Sequence, residues 1–124
     1  MVERRRAIEG QVVLLAGAQA SVTLTRLSAV LDRAGQYLTE RRETYERRFE
    51  RVDGPDDTSY YLTEPGHWDH VGTQIGLDDR ETDAVRRTHE AQFERDGRRL
   101  DREEEFETTL EIRDVVAMPS RSSR

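Results

Sequence analysis

The side chains of this 124-residue chain best suited to chemistry are its three histidines, His67, His70 and His89, with Asp69 between the first two. Imidazole with carboxylate is a legitimate donor set for zinc or a non-haem metal, and histidines three apart at a helix start share one face. A closed site takes three or four ligands, and this spacing matches no metalloenzyme motif. Surface histidines flanking a buried Trp68 are the favoured reading, with the three kept as weak metal candidates. The run Glu103-Glu104-Glu105-Phe106-Glu107 offers carboxylates for Mg²⁺, but no second carboxylate motif supports it, and it reads as a solvated acidic face. Nucleophilic catalysis has little footing: there is no cysteine, no Gly-x-Ser-x-Gly and no phosphate-cradling glycine loop. The expectation is a non-enzymatic protein that needs no cofactor.

The most suggestive local pattern is Val71-Gly72-Thr73-Gln74-Ile75-Gly76-Leu77 followed by Thr82 and Val85. It resembles the helix-turn-helix of many transcription regulators, with Gly72 at the small-residue position, Gly76 at the turn and an apolar residue usual where Thr82 stands. The second helix would open Asp78-Asp79-Arg80-Glu81-Thr82-Asp83, presenting four carboxylates to DNA phosphates. Repulsion weighs against groove entry, and a DNA-binding regulator is the alternative rather than the leading expectation.

These residues need elements to hold them. Leu24, Leu27, Leu31, Ala34, Leu38, Tyr45, Phe49 and Val52 recur at three-then-four spacing, predicting a long helix over about 23–52, ended by Asp53-Gly54-Pro55. Its heptad register makes Leu24, Leu27, Leu31, Leu38, Tyr45 and Phe49 candidates for a coiled-coil seam between two copies, against a core helix of a monomeric bundle. Before it, Ile8, Val12, Leu15 and Val22 mark a first helix with a break near residue 21, although one helix or two over residues 1–52 stays open. Pro65 starts a short helix over about 65–76 carrying Trp68, Val71 and Ile75. Asp78 and Glu81 form a capping box for a long helix over about 78–112, with a joint at Gly97.

The fold expectation is therefore all-α in the main: a long helix plus a helical hairpin in a single domain over residues 1–119, with a disordered tail at 120–124. It leaves open a short two-stranded pairing between residues near 59–63 and 114–118. Tyr60, Tyr61 and Trp68 put aromatic surface beside the acidic middle and are weak candidates for a partner-binding face.

All 20 basic residues are arginine, against 26 acids, and nine acids with Arg80 alone give residues 53–83 a charge of −8. Carboxylates hold water well and guanidinium is more weakly hydrated than ammonium, a balance suited to concentrated salt. With 34% of residues hydrophobic and 37% charged, the core is thin and extra burial in a second copy is expected. No stretch approaches the roughly 20 apolar residues of a membrane span, and a cytoplasmic location is expected. Glu64-Pro65-Gly66-His67-Trp68 through Arg102-Glu103-Glu104-Glu105-Phe106-Glu107 and Leu110-Glu111-Ile112-Arg113, in this Lys-free and Cys-free setting, resembles small uncharacterised proteins of halophilic archaea. The resemblance implies a salt-rich cytoplasm and carries no activity. The leading expectation is a helical protein-protein interaction or self-association module, a homodimer first, with a metal-dependent activity at His67, His70 and His89 as second alternative.

Overall fold

The first helix, α1 (Gly10–Ala20), stops at Ser21, whose left-handed φ of 59° turns the chain. Thr23 then caps α2 (Leu24–Glu40), the Arg26 N–H donating to its Oγ1 at 3.1 Å. The computed structural model describes residues 7–120. Among them, six helices and a three-stranded antiparallel sheet make a mixed α/β fold, which corrects the expectation of an all-α long helix plus hairpin.

The helix expected over 23–52 breaks at Arg41, restarts as α3 (Arg42–Arg48) and ends at the extended Phe49. Residues beyond it form β1 (Glu50–Asp53), which a tight turn joins to β2 (Thr58–Thr63). Gly54 N–H donates to Thr58 O at 2.8 Å, and Asp56 and Asp57 take the left-handed conformation that short polar side chains tolerate. Val52 continues the helical spacing of Tyr45 and Phe49 by accident, because it pairs with Tyr60 across the hairpin. A four-residue edge strand with one partly buried side chain has no alternation to read.

The last strand, β3 (Asp114–Pro119), pairs with β2 from Thr58↔Pro119 to Thr63↔Asp114, giving the order β1-β2-β3. The two-stranded pairing left open by the sequence is thus one half of a larger sheet. β2 is buried along its whole length, so both faces are covered. Tyr60 meets Phe93 on one face at 5.0 Å between ring centroids, and Tyr61 meets Tyr45 on the other at 6.1 Å.

Gly66, at φ 87°, precedes α4 (His67–Ile75), so Pro65 lies outside the helix it was expected to start. The capping box at Asp78 and Glu81 is present and opens α5 (Asp79–Arg99). The helix expected to run on to 112 turns at Leu100–Arg102, with Asp101 at φ 59°, and resumes as α6 (Glu103–Ile112). Gly97 is no joint but a contact surface, because a Cβ there would lie 2.8 Å from the Phe106 ring. That close approach stacks Phe106 on Phe93 with centroids 4.1 Å apart.

α5 is the central helix, with α1, α2, α4, α6 and β3 packed around it. Ahead of α1, Glu9 is clamped to it. Arg99 forks onto both carboxylate oxygens at 2.5 and 2.8 Å, and Gln92 Nε2 adds a third hydrogen bond at 2.8 Å. The Arg99 bond is the main reason that the Glu9 carboxyl sits down at about 2. Asp96, buried beneath this clamp, accepts from the Tyr60 hydroxyl and from Arg99. Of the expected tail at 120–124, Ser120 N–H donates to Asp57 O at 2.7 Å, and residues 121–124 lie outside the described residues.

Candidate functional site

The residues expected to form a self-association seam are mostly interior. Leu27, Leu31, Leu38 and Tyr45 are buried by the chain's own α4, α5 and sheet, Phe49 is partly buried, and only Leu24 stands in solvent. The stripe is real, but it is the core face of α2 and α3. The aromatic partner surface is corrected in the same way: Tyr60, Tyr61 and Trp68 are all buried.

The three histidines do not converge. His67 and His70 neighbour each other, with ring centroids 6.2 Å apart at the start of α4. His89 lies in the core on α5, its Nδ1 accepting from Ala117 N–H at 3.0 Å and its ring against Trp68 at 4.6 Å. Burial alone drives its pKa down to about 3, so the ring is neutral. Among the described residues no group of three or more His, Cys, Asp or Glu side chains is placed to hold a metal ion.

His89 has a structural task. Strand β3 is the sheet edge away from β1, and an edge exposes unpaired backbone groups. Here Trp68 Nε1 donates to Val115 O at 2.9 Å and His89 takes up Ala117 N–H, two residues along. Asp114, at the strand's start, accepts from Trp68 N–H at 3.0 Å and so caps α4.

In the helix-turn-helix segment, Gly76 turns the chain at φ 77° and Gly72 lies against Thr82 so closely that a Cβ would come within 2.2 Å of its Oγ1. Thr82 is buried in that contact, where the pattern usually takes an apolar residue. The carboxylates that open α5 are held by arginines: Glu81 by Arg26 at 2.5 Å, and Asp83 by Arg87 at 2.7 Å and by Arg86. Both carboxyls are lowered, Glu81 chiefly by the Arg26 hydrogen bond, while at Asp83 burial is the largest single influence and raises, and Arg87 and Arg86 together outweigh it. In the acidic run, Phe106 points inward and Glu105 pairs with Arg102 at 2.6 Å.

The surface that stands out lies at α1 and the start of α2. From Gly10 to Thr25 sixteen consecutive residues carry no charge, in a chain where 37% do. α1 buries Val12, Val13, Ala16 and Gly17 against the core and turns Gln11, Leu14, Leu15 and Ala18 outward, one helical face at i, i+3, i+4 and i+7. Leu14 is 56% exposed, Leu15 57% and Leu24 49%. Sequence reasoning took Leu15 for a core residue and passed over Leu14. The signal in the sequence is the charge-free length. Among the described residues no single helix is long and apolar enough to cross a membrane.

A family model described as a domain of unknown function, DUF8048, matches residues 6–119, and the chain belongs to that family. Neither the search of curated proteins nor that of solved structures returned a match.

Proposed function

We propose that this DUF8048 member is a non-enzymatic self-association module of a salt-rich cytoplasm, two copies meeting through the outer face of α1 and the first turn of α2. The observation that supports it is the exposure of Leu14, Leu15 and Leu24 on a stretch without charge. A two-fold contact sets the same face of each copy against the other, so a face with net charge repels itself while a neutral one does not. The outward faces of α2 to α6 all carry formal charges, which leaves the α1 face as the uncharged one.

Magnitude sets the expected strength. Each of the three leucines is about half exposed, so completing its burial yields about 1 kcal/mol. Six of them across a dimer contribute about 6 kcal/mol, inside the lower part of the ~4–15 kcal/mol cost of association. The dimer is therefore weak and concentration-dependent, and salt that strengthens apolar burial favours it.

Light scattering across a concentration series in molar salt tests this. The mass should climb from the 14.4 kDa of one chain toward twice that value, and Leu15→Glu should hold it at the lower figure. A monomer throughout the series, or an unchanged mass in Leu15→Glu, removes the proposal.

A further inference from the structure

The opposite end of α2 opens onto a different surface. Arg41, Thr44, Tyr45 and Arg48 follow one another at i, i+3, i+4 and i+7 along the break and α3, and together they wall a cleft of about 470 Å³. The start of α4 closes it with His67 and His70, and Tyr37 forms one side. Within the cleft Tyr45 Oη and His67 Nε2 lie 2.5 Å apart. Burial pushes the Tyr45 hydroxyl well above the ordinary phenol range, so it stays protonated beside His67 Nε2.

The arginines are held here by rings rather than by carboxylates. The Arg41 guanidinium sits 3.7 Å from the Tyr37 ring centroid and Arg48 lies 5.2 Å over Phe49. Arg41 has one distant carboxylate, Glu40 at 3.7 Å, and Arg48 makes no ion pair among the described residues. Elsewhere Arg26, Arg86, Arg87, Arg99 and Arg102 each lie within 3.1 Å of a carboxylate oxygen. Two guanidiniums with uncommitted N–H groups and two imidazoles face a cleft whose lining includes one carboxylate, Glu64, in a chain of net charge −6. Arg41 Nη1 also donates to Tyr37 O at 3.0 Å, which fixes its fork and leaves its remaining N–H groups, with those of the stacked Arg48, for an oxyanion.

We propose that this cleft binds the phosphate group of a small phosphate ester, Arg41 and Arg48 taking the oxygens and the Tyr37 and Phe49 rings flanking the organic part. The site is independent of the α1 face, so the two stand or fall separately.

The test follows the ring resonances of His67 and His70 by NMR while phenyl phosphate or inorganic phosphate is added to the full chain. Saturable shifts are expected, with phenyl phosphate binding several-fold more tightly than inorganic phosphate. Arg48→Gln, an exposed position, should weaken binding by about tenfold or more with an unchanged melting temperature, and Arg48→Lys by less. The dimer-breaking Leu15→Glu should leave the titration as it is. No saturable shift, equal affinity for the two phosphates, or an Arg48→Gln curve that overlays the parent's overturns the proposal.

Discussion

At its first residue α2 meets a surface without charge, and at its last it meets arginines that lie on aromatic rings. The two ends are about 24 Å apart at 1.5 Å per residue. Both differ from the surface around Arg26, Arg87 and Arg102, where arginines and carboxylates neutralise one another at short range. One end departs by omitting charge altogether. The other keeps two arginines that stack on rings, with one carboxylate, Glu40, 3.7 Å from Arg41 and none paired with Arg48 among the described residues. The difference separates two kinds of recognition: apolar contact that tolerates a copy of itself, and charged contact that demands an opposite partner.

The largest effect should come from mistaking core for surface. Leu31→Glu places a carboxylate where the parent residue is 4% exposed, at a cost of about 4 kcal/mol or more, and circular dichroism should find the chain unfolded. Leu15→Glu should leave the melting temperature nearly unmoved and act on assembly alone, which would confirm that the two leucines belong to different surfaces.

Acid should act next on the core that carries both ends, through His89, while Gly10 to Thr25 contains nothing that titrates. His89 has its folded pKa at about 3, below the unfolded value near 6.5, so the unfolded chain binds the extra proton first. Its contribution is fully present above pH 6.5 and is lost as pH falls toward 3, by about 1.4 kcal/mol per pH unit over much of that window. His67 is lowered too, by burial and then by His70, and adds in the same direction. Thermal melts from pH 7 to 4 should show that slope, and His89→Gln, a neutral acceptor for Ala117 N–H, should flatten most of it.

Salt gives the smallest and most diagnostic contrast. Raising potassium chloride from 0.2 to 2 M should weaken phosphate binding several-fold by screening, and should leave dimerisation unchanged or stronger. Parallel changes at the two ends would break the comparison.

Much of the local structure was legible. The Asp78 and Glu81 box and the inward side of α4 both rest on neighbours in sequence, where spacing carries the information. The sheet was less so. Phe49 and Val52 keep a helical interval while sitting at a strand, because the hydrogen bonds that define β1 come from Tyr60 and Leu62 several residues on. The leucine stripe was read correctly as apolar and wrongly as a seam, since periodicity says which face is covered and nothing about whose atoms cover it. Arg41, Thr44, Tyr45 and Arg48 share a visible helical interval and Pro65-Gly66 marks a turn, yet the arrival of His67 beside Tyr45 depends on how α4 packs against α3, which spacing along the chain does not carry.

The Trp68 and His89 hydrogen bonds to β3 have a further consequence for how copies of this chain can meet. A sheet grows by adding strands at its edges, and here one edge is closed by indole and imidazole while the other, β1, presents Glu50, Arg51 and Asp53. Open-ended stacking is thus blocked at both borders. Encounters between folded molecules are left to helix surfaces, where contact is finite and reversible.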